Sequence, residues 1–181
     1  MLFKDPSVGD LYKHDSPFTY FSSAELHLGE ISLECSRPGA SAVALWATQQ
    51  LLPLVPGGEF AAMLDDCLIA AGQFWSRLQD STNFVPLMAP ELDIVVYAVK
   101  APDSSKASDR ARRVFAAAAE RDLHLALIEL PVKLVQEYAP GIRANSETMT
   151  CLRSVLMKPE HLSWLERIVD ILEASASEIK P

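Results

Sequence analysis

The sequence predicts an α+β domain in which an antiparallel sheet carries helices on one face. Two observations predict it. Residues 59–79 place their apolar side chains three and four positions apart, as an amphipathic helix does. Three later segments are rich in β-branched, aromatic or alternating apolar residues, which is typical of strands. These strand segments are residues 91–102, 123–135 and 148–157, and a helical pattern follows the first and the third of them.

The first helix is predicted from the stretch SRPGASAVALWATQQLL. Ser36 can cap a helix, and Pro38 is acceptable in a first turn. From Ala40 to Ala47 nearly every residue is small or apolar. A helix that is apolar on all sides is normally buried on all sides, so this one should need partners on more than one face. Pro53 and the PGG at 56–58 end it.

The second helix, at 59–79, should turn its apolar stripe to the core. The stripe consists of Phe60, Met63, Leu64, Cys67, Leu68, Ala71, Trp75 and Leu78. Because Cys67 lies on this stripe, we interpret it as a core residue.

The second half of the chain alternates strands with helices. Ser108 is predicted to cap a helix over 109–122, with Asp109 at its positive end. A solvated helix face is predicted for Arg110, Arg112 and Arg113, since acidic residues surround them. His124 is interpreted as a strand-face residue and 136–147 as a loop. The last helix should run over 160–174.

The composition excludes several classes of function. Of the 181 residues, 49% are hydrophobic and 22% charged, which is ordinary for a globular domain and wrong for disorder. The net charge of −8 argues against nucleic acid as the partner, because phosphate binding needs a basic face. No apolar run reaches the roughly 18 residues of a membrane span, and the start lacks the apolar region of a signal peptide. We expect a cytoplasmic protein with no nucleic-acid and no membrane partner.

The motif content predicts no catalytic, cofactor-binding or metal-ligating residue. Cys35, Cys67 and Cys151 are odd in number and far apart, which favours reduced thiols. The four histidines show no ligand spacing. The sequence has no nucleophile elbow, phosphate-binding loop, dinucleotide-binding glycine motif or C-x-x-C pair.

Arg153 is the charge that looks most out of place. It lies in the middle of the predicted strand 148–157, and alternation puts it on the face of Cys151 and Val155. Burying an unpaired charge is costly. Three explanations remain open from the residues alone: a local acid such as Glu129 pairs with it, its head reaches solvent along an apolar stem, or it binds an anion that this chain does not supply.

Two stretches carry a resemblance to a known family. They are LECSRPGASAVALWATQQLL and CLRSVLMKPEHLSWLERIVDIL. Together they resemble the C-terminal third of the group II pyridoxal-phosphate-dependent amino acid decarboxylases, which include glutamate, aromatic amino acid, tyrosine and diaminobutyrate decarboxylases. The family has an arginine before a long helix with a Leu-Trp pair, and later a strand with a Leu/Phe-Arg pair, a proline and a final helix. The matching residues here are Arg37, Leu45, Trp46, Arg153 and Pro159.

The resemblance implies a domain organisation. It covers essentially the whole chain, and the opening MLFKDPS is similar to the strand shortly after the family's cofactor lysine. Residues 1–35 would be a remnant of the large domain that binds pyridoxal phosphate, and 36–58 a connecting helix. Residues 59–181 would be the small C-terminal domain of a fold-type-I enzyme.

The sequence departs from the family at the cofactor lysine. That lysine lies in a His-Lys pair upstream of the region matched here, and this sequence contains no His-Lys pair. We therefore expect a truncated or split decarboxylase, or a fragment of one. The intact family enzyme would use pyridoxal 5'-phosphate, but none is expected to be bound covalently to this chain, which alone should be inactive. Its expected partners are the N-terminal portion that binds pyridoxal phosphate and a second copy of itself.

The resemblance also implies two substrate-binding residues. Arg153 would contact the substrate's carboxylate, a task that suits a planar guanidinium. Arg37 would contribute to substrate binding too, with structural pairing at the helix start as the alternative. Two functions remain open: the C-terminal part of an amino acid decarboxylase, which also supplies domain and dimer packing, or a non-catalytic interaction module derived from that domain.

Overall fold

The structure is a computed structural model that describes residues 39–179, together with Asp5, Ser7, Val8 and Leu11. The chain divides into two compact units, residues 1–51 and 52–181. Of the sequence predictions, the Ser36 cap, Pro38 and Cys35 lie outside the described residues.

The first unit contributes one described helix, α1, at Ala40–Leu51. Its position confirms the predicted helix, but none of its residues is buried. Its large apolar side chains are between 60% and 80% exposed, namely Val43, Leu45, Trp46 and Leu51. The predicted need for partners on more than one face stays a prediction, because that burial would have to come from a surface outside this helix. An apolar sequence makes burial favourable, but it does not supply the surface that would cover it.

The second unit is built from four strands and four helices within the described range. In chain order they are α2 (Glu59–Gln79), β1 (Phe84–Pro86), β2 (Ile94–Val99), α3 (Ser104–Ala119), β3 (Ala126–Pro131), α4 (Val132–Tyr138), β4 (Thr148–Val155) and α5 (Glu160–Ser177). None of the helices in the described part of the chain is both long and apolar enough to cross a membrane.

The four strands form one antiparallel sheet in the order β1-β2-β4-β3. β4 is an interior strand, although it is the last of the four along the chain. Its residue Arg153 pairs with Val96 of β2 on one side and with Ala126 of β3 on the other. This arrangement confirms the predicted α+β class with an antiparallel sheet.

One face of the sheet packs against α2, α3 and α5. The aromatic centre of this core is Tyr97, whose ring meets Phe74 of α2 and Phe84 of β1 edge to face at 5.7 and 5.5 Å between centroids. Leu152 and Leu172 are fully buried in the same cluster. Edge-to-face aromatic pairs add stabilisation beyond the area that they bury.

The opposite face has a smaller core beneath α4. Val132 and Val135 of α4 pack there with Met149 and Cys151 of β4 and with Ile142 from the following loop. Helices therefore lie on both faces, with three on one side and a short one on the other. The prediction of helices on one face alone missed α4.

Several element boundaries differ from the predicted ones. α3 starts one turn before the predicted cap, because Asp103 accepts a hydrogen bond from the Lys106 amide at 3.0 Å and so caps the helix. Ser108 lies inside α3 and donates to the Ser104 carbonyl oxygen. The strand predicted at 123–135 stops at Pro131, after which α4 begins. β1 was not predicted, whereas α2 matches the predicted 59–79 at both ends.

Arg110 is buried, contrary to the predicted solvated face. Its guanidinium donates to the Lys100 carbonyl oxygen at 2.7 Å, to Asn83 Oδ1 at 2.7 Å and to the Ala176 carbonyl oxygen at 3.1 Å. Asn83 in turn donates to Glu173 of α5 at 2.8 Å. The predicted solvated face holds for Arg112 and Arg113, which are exposed. The carbonyls that attract Arg110 come from distant parts of the chain, so the local charge pattern did not reveal them.

Replacing Arg110 should destabilise the domain much more than replacing its exposed neighbour. Arg110→Met removes the guanidinium donor of the Lys100 carbonyl oxygen and of Asn83 Oδ1, and it leaves the Ala176 carbonyl oxygen with the Ile179 amide as its donor. This loss should lower the free energy of unfolding by about 3 kcal/mol. The matched control Arg113→Met should stay within about 0.5 kcal/mol of the parent. Urea denaturation followed by circular dichroism measures both. Equal effects of the two substitutions would contradict the structural role of Arg110.

Tyr97 and Ser154 should be coupled in a double-mutant cycle. Their hydroxyl groups are 2.9 Å apart in the buried core, so Tyr97→Phe should cost about 1–2 kcal/mol by leaving Ser154 without its partner. Adding Ser154→Ala should restore most of that loss, because both buried polar groups are then gone. Additive losses in urea denaturation would show that the two hydroxyl groups do not depend on each other.

Candidate functional site

Arg153 lies on the sheet face opposite the three long helices. The residues before and after it, Leu152 and Ser154, are buried on the helix side, whereas Cys151 belongs to the cluster beneath α4. Alternation along β4 therefore turns Arg153 to the second face, as the sequence predicted. Its cross-strand neighbours on that face are Val96 and Ala126, both apolar.

The described neighbours of Arg153 on this sheet face carry no charge. Cys151 belongs to the apolar cluster beneath α4, and Val96 packs against that cluster. Burial raises the pKa of the Cys151 thiol to about 12. A charge held over such a surface interacts more strongly with an opposite charge than it would in bulk water.

The Arg153 guanidinium has no protein partner among the described residues. The side chain is half-buried, and its Nε atom is buried without a hydrogen bond. No salt bridge or hydrogen bond joins the guanidinium to any residue in 39–179. Buried polar groups in folded proteins are almost always hydrogen-bonded, so an exception calls for a physical reason.

Glu129 is not the partner of Arg153. It pairs with Thr150 across the β3–β4 ladder and so belongs to the helix side of the sheet, opposite Arg153. There its carboxylate lies 3.7 Å from Arg112, whose guanidinium also donates to Thr150 Oγ1 at 2.8 Å. The explanation that a local acid neutralises Arg153 is therefore wrong for Glu129.

The arrangement at Arg153 suits the binding of a carboxylate. A guanidinium offers five N–H donors in a planar fork, keeps its charge at any physiological pH and matches a carboxylate in a bidentate manner. The second candidate, Arg37, lies outside the described residues, so its role stays a prediction. In residues 39–179 no group of three histidine, cysteine or acidic side chains is placed to hold a metal ion.

A cavity apart from Arg153, which the sequence analysis missed, lies between the α3–β3 turn and the first three turns of α5. Its volume is about 450 Å³. We call it the basic cavity; it is lined by Arg121, Asp122, Leu123, His124, Lys158, His161, Trp164, Arg167, Ile168 and Ile171. The signal in the sequence was the three-residue spacing of Lys158, His161, Trp164 and Arg167, which puts the last three on one side of a helix.

His124 contributes to that cavity rather than to a strand. It is exposed and lies two residues before β3 begins at Ala126. The interpretation as a strand-face residue was therefore wrong. Alternation suggested a longer strand, but the turn that ends α3 extends to Leu123, whose amide donates to the Ala118 carbonyl oxygen.

Comparison with known proteins identifies solved structures that share this fold. The sequence matches no protein-family model and no curated protein. Among solved structures, mouse CSAD superimposes with a TM-score of 0.65 at 14% identity, covering 98% of this chain and 36% of that one. A structure of mouse CSAD in apo form gives 0.64 at 17% identity, covering 92% and 33%.

A bacterial structure agrees with these two. It is the glutamate decarboxylase domain of diaminobutyrate-pyruvate transaminase and L-2,4-diaminobutyrate decarboxylase from Vibrio parahaemolyticus, with a TM-score of 0.54 at 18% identity, covering 76% of this chain and 26% of that one. The chain thus spans about a third or less of the length of these structures. It matches the C-terminal region of pyridoxal-phosphate decarboxylases, so the expected resemblance is confirmed at the level of the fold.

Cys151 should resist alkylation in the folded protein. With its pKa raised to about 12, on the order of one thiol in several thousand is ionised at pH 8.5, and the thiolate is the reactive form. Iodoacetamide treatment followed by peptide mass spectrometry should leave Cys151 unmodified in buffer and modified in urea. Rapid labelling of the folded protein would show that the face beneath α4 opens to solvent.

Proposed function

We propose that this chain forms the C-terminal part of a pyridoxal-phosphate-dependent amino acid decarboxylase, in which Arg153 binds the carboxylate of the substrate. The observation that carries the proposal is the Arg153 guanidinium, which stands on an apolar sheet face with a buried Nε atom and no partner in residues 39–179. The fold shared with such decarboxylases supports it.

The energetics of Arg153 favour a binding role over a structural one. A buried donor without an acceptor destabilises a fold by about 1–3 kcal/mol. An external carboxylate would remove that penalty and would form two parallel charge-assisted hydrogen bonds. Because the neighbouring Val96, Ala126 and Cys151 offer no competing acceptor side chain, the guanidinium is available for the ligand.

The cofactor itself does not fit the residues around Arg153. The side chains on that face, Val96, Ala126 and Cys151, supply neither an amine nor a carboxylate. We therefore derive no step through pyridoxal phosphate from this chain. In the proposed enzyme an N-terminal portion holds the cofactor, and the role of Arg153 is to hold and orient the substrate.

Association with that N-terminal portion, and with a second copy of the chain, is part of the proposal. Helix α1 supports it, because Val43, Leu45, Trp46 and Leu51 are exposed. Contiguous exposed apolar surface is typical of interaction sites. The same observation favours the second candidate, a non-catalytic interaction module that keeps the fold and binds a protein partner through α1. The two candidates differ in whether Arg153 matters.

Substitution of Arg153 should separate ligand binding from stability. We expect small carboxylates such as glutamate to shift the Arg153 Nε–H resonance with millimolar half-saturation, equivalent to about −4 kcal/mol. Arg153→Lys should weaken this binding about tenfold, because a point charge replaces a bidentate fork. Arg153→Met should abolish it and raise the free energy of unfolding by about 1 kcal/mol, since a buried unsatisfied donor is removed.

The matched control is Arg113→Lys, an exposed arginine that should leave carboxylate binding unchanged. In a complex of the full chain with an N-terminal portion loaded with pyridoxal phosphate, Arg153→Lys should raise KM for the amino acid in a CO2-release assay. A complex that forms but releases no CO2, together with carboxylate titrations that do not depend on Arg153, would favour the interaction module instead.

A further inference from the structure

The basic cavity combines positive charge with a flat ring. It lies at the helix side of the domain, and Arg153 is not among the residues that line it. Its cationic side chains are Arg121, Lys158 and Arg167, and Asp122 is the one acid in the lining. The chain as a whole carries a net charge of −8, so the lining of the cavity is a region of positive charge on a negatively charged protein. Such a region attracts anions to one place.

Two of these cations have no carboxylate partner in residues 39–179. Arg121 pairs with Glu178 and also donates to the Ala117 carbonyl oxygen at 2.9 Å. No carboxylate oxygen of the described residues lies within 4.0 Å of Lys158 or Arg167. Their charges are therefore available to an anion from solution.

His161 adds a directed donor to this pair of charges. The Lys158 amide donates to His161 Nδ1 at 3.4 Å. A neutral imidazole that accepts at Nδ1 carries its proton on Nε2 and can donate it there. His161 can therefore donate a hydrogen bond from Nε2 to an anion.

Trp164 supplies the apolar part of the site. It is 56% exposed and lines both the basic cavity and a neighbouring cavity of about 550 Å³, which Met63, Pro159 and the acidic Glu160 also line. An exposed indole beside cations offers a stacking surface to a flat ring. The neighbouring cavity leaves room for that ring beyond the charged group.

The turn beneath the cavity is fixed by an uncommon backbone conformation. Asp122 has φ of 60°, a left-handed conformation that few residues other than glycine adopt. It lies three residues beyond the end of α3 at Ala119. There the Leu123 amide donates to the Ala118 carbonyl oxygen at 2.9 Å, and the Asp122 amide donates to the Ala119 carbonyl oxygen at 3.1 Å. This closure holds Arg121 and His124 on either side of a single short turn.

We propose that the basic cavity binds a phosphate monoester that carries a flat aromatic ring. The phosphate contacts Lys158, His161 and Arg167, and the ring stacks on Trp164. A phosphate fits better than a single carboxylate, because its oxygens can accept from several donors around it. The site is independent of the carboxylate role of Arg153.

Adenosine monophosphate tests the proposal on the full chain, with the Trp164 indole N–H resonance as the reporter. The indoles of Trp46 and Trp75 serve as internal controls, the latter because its N–H donates to the Leu87 carbonyl oxygen. Adenosine monophosphate should shift Trp164 alone. Its affinity should exceed that of ribose 5-phosphate about fivefold or more through stacking, and that of adenosine about tenfold or more through the phosphate.

Substitutions separate the contribution of the phosphate contacts from that of ring stacking. The pair Lys158→Ala and Arg167→Ala should weaken both phosphorylated ligands about tenfold, while Arg113→Ala, outside the cavity, should change neither. Trp164→Ala, followed by calorimetry, should reduce the affinity for adenosine monophosphate to that for ribose 5-phosphate. Asp122→Asn should strengthen binding a few-fold, because it removes the acid and asparagine tolerates the left-handed conformation.

Three results would overturn the proposal. The first is no shift of Trp164 at 10 mM (about 100-fold above a Kd on the order of 0.1 mM) adenosine monophosphate. The second is equal binding of adenosine and its monophosphate, which would show that the charges are not used. The third is equal weakening by Arg113→Ala, which would indicate diffuse attraction to the whole surface. Unchanged circular dichroism of each variant excludes unfolding as the cause.

Discussion

The arrangement of the second unit depends on the buried guanidinium of Arg110. It starts on α3 and reaches the carbonyl oxygen of Lys100 after β2, the side chain of Asn83 before β1, and the carbonyl oxygen of Ala176 near the end of α5. One side chain thus connects two helices with the ends of two strands. Apolar packing between helices and sheet has little directional preference. The hydrogen bonds of Arg110 supply direction, because each requires a particular carbonyl or amide oxygen to lie within about 3 Å.

Arg110 and Arg153 are both arginines on this domain, but their guanidinium groups differ in hydrogen bonding. Both have a buried Nε atom without a partner, but the terminal nitrogens of Arg110 are hydrogen-bonded within the fold. Those of Arg153 have no partner in the described residues. A fold tolerates a few such groups where they bind a ligand, which is the role that we propose for Arg153. The distinction between the two lies in their surroundings and not in their residue type.

Local periodicity predicted most of the fold, and long-range contacts account for what it missed. The helix at 59–79 has a pattern strong enough to fix both ends. β1 spans only three residues, which is too short to show a period. Pro131 was a usable signal that the strand at 123–135 should end, since proline cannot donate within a sheet. The place of Arg153 followed from alternation, but its lack of a partner depends on residues across three strands. The basic cavity joins the segment 121–124 to 158–171, and no local pattern connects them.

The position of β4 has a consequence for the order in which the domain can form. β2 and β3 are not neighbours in the sheet, and both hydrogen-bond to β4, which is synthesised after them. A nascent chain that ends before Thr148 can therefore form the β1–β2 hairpin but cannot assemble the sheet. The edges of β2 and β3 that hydrogen-bond to β4 in the folded domain stay unpaired until then. Unpaired edges template association with other chains. Translation of β4 is thus the step that allows the sheet to close, and the interval before it is when chaperones would matter most.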